Sequence, residues 1–449
     1  LIAILIVFWR KEVIMALLVA VASSEFLLAL NGEGNTLFFT FINTIERVIE
    51  VASSPGNSRI LIFSILIGAL LAYIRESGGV AATVNLLMNK GVAKSKRQVG
   101  YLTMFSGIAV FIESNLSVLT SGILSRGLFD KFKMSRARLA YIIDSTSAPV
   151  CILILLNGWG AYVLGLLGNY EMEESAVSVL WGSIGYNFYA IITLLIVFYT
   201  ITFDKVHGPL KQAEENLEQQ ETELTEEVKG SKARYMLVPL ITLIGSMVGF
   251  MFWTGDGDIA SGSGSKSVLY ATILACVVAY FLMISSREFT HHKLVDIGFK
   301  GMGELLPLVS IVLLSLTLGA SLKDLGTGVF VAGLVGDFLP IYLVVPVLFI
   351  TGAVISFTTG TSWGTFAILI PIGVPLIQAL GLPPSLVIAA ILGGGVFGDH
   401  CSPISDTSAV SAIASGCDLL THVKTQMPYA LFGGALTFIA YLVTSIIVL

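Results

Sequence analysis

Apolar runs of roughly 18–25 residues recur from one end of this 449-residue chain to the other, each long enough to cross a bilayer as a helix. No other feature restricts the fold so strongly. A segment inside hydrocarbon must satisfy its own backbone hydrogen bonds, and only helices and closed barrels do so. Runs such as 60–73 and 305–318 do not alternate polar with apolar residues, which excludes a barrel. The chain therefore reads as an all-α polytopic membrane protein seated in a lipid bilayer. A formal net charge of −5 gives no reason to expect nucleic acid as a partner. Cys151, Cys276, Cys401 and Cys417 form no close metal-type pair and read as small buried residues.

Spans are expected near 1–8, 13–30, 60–73, 139–167 and 180–203, then, after a charged linker, near 236–253, 268–284, 305–318, 386–415 and 428–449. Each half thus has five. The run 1–8 is cut short by the start of the sequence, so the true N-terminus is expected to lie upstream. Between the third and fourth span of each half lies a further apolar stretch, 99–125 and 341–380, polar and glycine-bearing at its centre. The first is flanked by Lys90, Lys94, Lys96 and Arg97 before it and by Arg126, Lys131, Lys133, Arg136 and Arg138 after it. The positive-inside rule places both flanks on the cytoplasmic side, which predicts a re-entrant hairpin with its tip at Glu113-Ser114-Asn115. The second stretch turns back at Thr359-Gly360-Thr361-Ser362 by the same argument. Of the 25 Lys and Arg residues, this arrangement leaves only Arg47, Arg59, Lys266 and Lys323 outside. It also makes the hairpins enter from opposite sides, as two inverted-topology repeats require. The expected organisation is a first repeat over 1–203, a cytoplasmic linker over 204–234 and a second repeat over 235–449, each repeat with five transmembrane helices, one hairpin and one broken helix. The linker, with Glu214, Glu215, Glu218, Glu221, Glu223, Glu226 and Glu227, reads as a solvated connection.

The helix breaks carry the chemistry. Asp144-Ser145-Thr146-Ser147-Ala148-Pro149 interrupts one apolar helix, and Gly398-Asp399-His400-Cys401-Ser402-Pro403-Ile404-Ser405-Asp406-Thr407 interrupts another about 250 residues later. Paired broken helices point to a secondary transporter. Freed carbonyls, hydroxyls and carboxylates are the oxygen ligands that sodium prefers, and half-helix N-termini favour an anion. One cluster is expected from Asp144, Ser145, Thr146 and Ser147 beside Ser114 and Asn115, and a second from Asp399, Ser402, Ser405 and Asp406 beside Thr361 and Ser362. A carboxylate at mid-bilayer costs at least a few kcal/mol unless paired or ion-bound, so Glu113, Asp144, Asp399 and Asp406 each require a reason. A carboxyl group out of water favours its proton and a bound cation favours the carboxylate, so one group can exchange proton for sodium. Each has a plainer reading too: Glu113 as a tip residue paired with the rest of the fold, Asp406 as a helix cap, His400 as a backbone hydrogen-bonding group and Trp363 as packing. The run Gly393-Gly394-Gly395 reads as close helix approach.

The residues from Gly398 to Thr407, followed by Gly416-Cys417-Asp418, His422-Val423, Thr425-Gln426 and Pro428-Tyr429-Ala430, resemble the signature of the NhaC-type sodium/proton antiporter family, within the broader ion transporter superfamily. The resemblance implies a homodimer in which a scaffold holds a mobile transport domain of hairpins and broken helices, hence an elevator-type alternating-access mechanism. It also implies a bacterial inner-membrane location. Serine-asparagine tips help bind sodium in that superfamily, and Ser114-Asn115 matches; Thr361-Ser362-Trp363 lacks the asparagine. A first sodium site at Ser114, Asn115, Asp144 and Ser145 and a second at Thr361, Ser362, Asp399 and Asp406 follow as expectations, with sodium as coupling ion and no other cofactor. The expected function is sodium-coupled secondary transport, Na+/H+ antiport first, with a small carboxylate or amino acid as alternative cargo. A channel and an intramembrane aspartyl protease are remote alternatives; neither Asp144 nor Asp399 has the Gly-x-Gly-Asp context of such a protease, so an enzyme is not expected.

Overall fold

The computed structural model describes residues 6, 13–30, 36–79, 82–83, 95–111, 113–168, 170, 172–216, 231–258, 262–327, 330, 333 and 339–449. The expected span at 1–8, residue 6 apart, and the linker glutamates from Glu218 to Glu227 lie outside these residues. Every regular element among the described residues is helical. In the first half these are α1 (Val13–Ala29), α2 (Thr36–Ser53), α3 (Pro55–Glu76), α4 (Lys96–Ala109), α5 (Ser114–Lys131), α6 (Arg136–Ser145), α7 (Ala148–Cys151), α8 (Gly158–Leu167), α9 (Ala176–Tyr186) and α10 (Phe188–Thr202), with α11 (Gly208–Glu215) opening the linker. The second half follows with α12 (Arg234–Thr254), α13 (Gly264–Ile284), α14 (His291–Glu304), α15 (Leu306–Asp324), α16 (Ile341–Thr359), α17 (Ser362–Leu380), α18 (Pro384–Cys401), α19 (Asp406–Ser415) and α20 (Leu419–Val448). Among the described residues nine candidate spans of 18 residues or more are apolar enough to cross a membrane, and α1 is a shorter apolar helix. Large apolar side chains lie exposed on their outward faces, among them Ile241, Phe252, Phe281, Phe432, Ile439 and Ile447. In water this would be an aggregation-prone surface, whereas against lipid tails it is the favoured one.

The order of elements recurs. In each half an amphipathic helix (α2, α14) leads into a span (α3, α15), then a helix pair joined by a short turn (α4–α5, α16–α17), then an interrupted helix (α6–α8, α18–α19), then a long terminal span (α9–α10, α20). The halves interlock. Gly68 of α3 and Gly301 of α14 meet so closely that a Cβ on either would lie 2.3 Å from the other's carbonyl oxygen. One apolar core, running through α1, α8, α9, α15, α16, α17 and α18, draws on both halves, as does a second built on α3, α12, α13 and α14.

Charged groups away from the helix breaks are also drawn inside. Glu25 of α1, 2% exposed, accepts from Ser321 Oγ at 2.7 Å and from Arg47 Nε at 3.0 Å, and Arg47 also meets Asp324 at 2.8 Å. Arg138 at the start of α6, 3% exposed, pairs with Asp204 at 2.8 Å and with Glu214 at 3.3 Å. Glu214 also accepts from the Ser135 backbone at 3.0 Å. This corrects the reading of Glu214 as a solvated linker residue: a buried guanidinium must be paired, and α11 is docked to supply the partner.

Candidate ion and substrate site

Each turn between paired helices is built by capping. Glu113 is the N-cap of α5, its carboxylate accepting from the backbone of Asn115 at 3.0 Å and of Leu116 at 2.7 Å. Its plain reading as a group paired elsewhere in the fold gives way to this local one, since three of its nearest donors belong to its own tip. At the other turn Gly360 closes α16 with φ of 68°, a backbone state that favours glycine, and Thr361 caps α17 by accepting from Gly364 N. Trp363 packs between Trp159 and Tyr162, with ring centroids 5.3 and 4.7 Å away.

The interrupted helices open where their polar residues predict, with one shift. The first pauses at Thr146-Ser147, resumes for the single turn α7, and opens fully only over 152–157. Asn157 stitches that opening to the first tip region: its amide donates to the Phe111 and Cys151 carbonyls, both at 2.9 Å, and its oxygen caps α8. The second opens at 402–405, so Asp399 and His400 sit in the last turn of α18. Ser402 donates to the Phe357 carbonyl at 2.8 Å, which ties the opening to α16. Ser405, not Asp406, caps α19, accepting from Ser408 N at 3.3 Å. Thr146 and Ser147 donate to the carbonyls of Ile142 and Asp144.

Asp399 is buried, and its Oδ2 accepts from Ser362 Oγ at 2.8 Å, which joins the second break to the second tip. Asp144 is fully buried, and its Oδ2 collects three donors from the second half: Gln426 Nε2 at 2.6 Å, His422 Nε2 at 3.2 Å and Ser408 Oγ at 3.4 Å. Gln426 also donates to the His400 carbonyl at 3.1 Å, and His400 Nδ1 meets the Tyr189 hydroxyl at 3.0 Å. Asn115 approaches the exposed Asp406, while Glu113, Asp399 and Asp144 are all near enough to Asp406 for their charges to interact. Ser114 and Ser145 are buried beside these groups. The two polar clusters foreseen separately in each half thus form one assembly, with Asp144 facing second-half residues. No group of three metal-ligating His, Cys, Asp or Glu side chains occurs among the described residues.

Sequence reasoning did not single out Tyr189, Asn157, Ser408, His422 or Gln426 as site residues. For the last two a signal existed: His422 and Gln426 stand four apart on a strongly apolar helix, hence on one face.

A polytopic helical protein whose interrupted helices bring buried carboxylates, amides and hydroxyls together is a membrane transporter by class. Residues 150–446 match the Na+/H+ antiporter family, and the chain belongs to it. A Haemophilus influenzae protein of uncharacterised function is 29% identical over 99% of this chain and 89% of its own. Over shorter stretches the chain is 37% identical to the malate-2H(+)/Na(+)-lactate antiporter of Bacillus subtilis, covering 21% of this chain and 19% of that one. It is 33% identical to the arginine/ornithine antiporter of Halobacterium salinarum, covering 28% and 26%. Two solved transporters share the fold at a TM-score of 0.61: Neisseria gonorrhoeae MtrF, 12% identical over 96% of this chain and 94% of that one, and Alcanivorax borkumensis YdaH, 13% identical over 99% and 98%. The protein is a secondary transporter of an ion or small molecule across a lipid bilayer.

Proposed function

We propose that the protein is a sodium-coupled transporter of the bacterial inner membrane that exchanges Na+ for H+ by an elevator-type movement. The observation that carries this reading is the composition of the site. Glu113, Asp144, Asp399 and Asp406 lie in one interacting group, and Asp144 and Asp399 accept from hydroxyl, amide and imidazole groups. Such a centre attracts a small cation and repels an anion. Asp399 is the proposed exchanging group, alternating between a proton and the ion as the site moves.

The elevator reading is supported by the division of the apolar cores. Helices α4, α5 and α6 share one core, and α16 and α17 pack with α18 in another, while α3, α12, α13 and α14 dominate a third, joined there by Leu116 of α5, Ala161 of α8 and Val177 of α9, that is suited to a scaffold. The recurring element order supports inverted repeats with α4–α5 and α16–α17 as re-entrant hairpins and the linker on the cytoplasmic side. Each arm of the second hairpin has 19 residues, about 28 Å of helix, so a mid-membrane tip requires those arms to tilt or to begin in the headgroups. A homodimer through the scaffold belongs to the same reading, on the strength of the family resemblance.

A second reading, transport of a small carboxylate or amino acid with Na+ or H+, is favoured by the names of the Bacillus and Halobacterium relatives. Reconstitution into vesicles with a pH-sensitive dye separates the two. An inward sodium gradient alone should drive proton efflux, without malate, lactate or arginine present. Asp399→Asn keeps the side-chain shape, and should fold normally yet abolish that exchange. Proton movement only with an organic cargo would replace the first reading by the second.

A further inference from the structure

The pair Asp144–Gln426 is short of donors. Asp144 Oδ2 accepts from three groups, whereas Oδ1 of the same buried carboxylate accepts from none. Gln426 shows the same asymmetry, and its orientation is dictated by its neighbours. Its two partners, Asp144 Oδ2 at 2.6 Å and the His400 carbonyl at 3.1 Å, are both acceptors. The amide nitrogen must therefore face them, and the carbonyl oxygen must face away. That Oε1 is buried, on a side chain 1% exposed, and has no donor either. A buried oxygen left unmet is unfavourable, and two in one hydrogen-bonded pair call for something positive between or beside them. Against Gln426 lies a void of about 10 Å³, lined also by Tyr189, His400 and Ser145, the chain neighbour of Asp144, but not by Asp144 itself. It has room for one water-sized occupant and none for an organic carboxylate.

We propose that Asp144 Oδ1 and Gln426 Oε1, one from each half of the chain, are ligands of a single dehydrated sodium ion. The proposal rests on the sodium-coupled reading above and names Gln426 as the ligand supplied by α20. A carboxylate contributes the charge and an amide carbonyl the dipole, the oxygen set that a hard cation takes. His422 and Ser408 act as positioning residues: by occupying Oδ2 they leave Oδ1 as the lone pair-bearing atom turned to the ion. The arrangement also makes one ion bridge the interrupted helix of the first half and the terminal span of the second.

The test is thermal unfolding of the purified full-length protein titrated with NaCl against choline chloride at equal ionic strength, since binding to the folded state raises its stability with ion concentration. Wild type should show a sodium-specific rise in Tm. Gln426→Met, equal in length but without the oxygen, should weaken the apparent sodium Kd at least about tenfold. Gln426→Glu sets a second carboxylate against Asp144, so its Tm should fall in choline and its rise with sodium should exceed that of wild type. No sodium-specific effect on wild type overturns sodium coupling itself and this site with it. A sodium response in wild type with unchanged Kd in Gln426→Met means the two oxygens serve a water only, which overturns the ligand assignment and leaves sodium coupling standing. If Gln426→Met does not fold, Gln426→Glu decides: a sodium response no larger than wild type overturns the assignment.

Discussion

Gly398 gives the sharpest test of how packing sets the site. A Cβ at this position would lie 2.1 Å from the Ala353 carbonyl oxygen and 2.8 Å from Phe357 N, both backbone atoms of α16. Backbone cannot swing aside as a side chain does, so Gly398→Ala must separate α16 from α18 by about 1 Å to reach ordinary contact distance, an overpacking that costs typically 1–3 kcal/mol. The displacement is not confined to the interface. Helix α16 runs directly into Gly360-Thr361-Ser362, and Ser362 Oγ donates to Asp399 Oδ2 at 2.8 Å. Adding about 1 Å takes that contact beyond the reach of a hydrogen bond. Gly398→Ala should therefore lower the melting temperature by several degrees and also suppress sodium-driven proton movement in vesicles. Gly303→Ala is the control, because a Cβ there meets nothing within 4 Å. Gly398→Ala with wild-type melting and wild-type transport would refute the claim that glycine-mediated contact of α16 and α18 positions Ser362 against Asp399.

Arg47→Ala strands Glu25 inside the protein with Ser321 as its remaining partner, and should cost about 3–5 kcal/mol, read as a lower Tm that Glu25→Gln in the same chain largely restores. Asp144→Asn and Asn115→Ala should each weaken sodium-dependent stabilisation while the proteins still elute as folded species; unchanged sodium dependence in both would remove the first cluster from the ion site. Cysteines introduced at Lys96 and at Lys131, in a background without the four native cysteines, should both react with an impermeant reagent from the cytoplasmic side, and labelling from opposite sides would make α4–α5 a crossing segment and end the inverted-repeat reading.

The alphabet of the chain settled much of this protein in advance. Long apolar runs made helices obligatory, since nothing else satisfies backbone groups in lipid. Capping residues and glycines marked both turns, at Glu113 and at Gly360-Thr361, and the polar interruptions marked both breaks to within a few residues. Even the contact between Ser362 and Asp399, 37 positions apart, follows from a tip lying beside a break. What the chain alone could not reveal is which polar residue meets which across hundreds of positions. Asp144 finds Ser408, His422 and Gln426 more than 260 residues away, and Glu25 finds Ser321 at a separation of 296. Periodicity reports which face of a helix is turned inward, but not the neighbour it is turned toward. That choice belongs to the packing of α20 against α6 and of α15 against α1, where buried polar groups accept only partners that complete their hydrogen bonds.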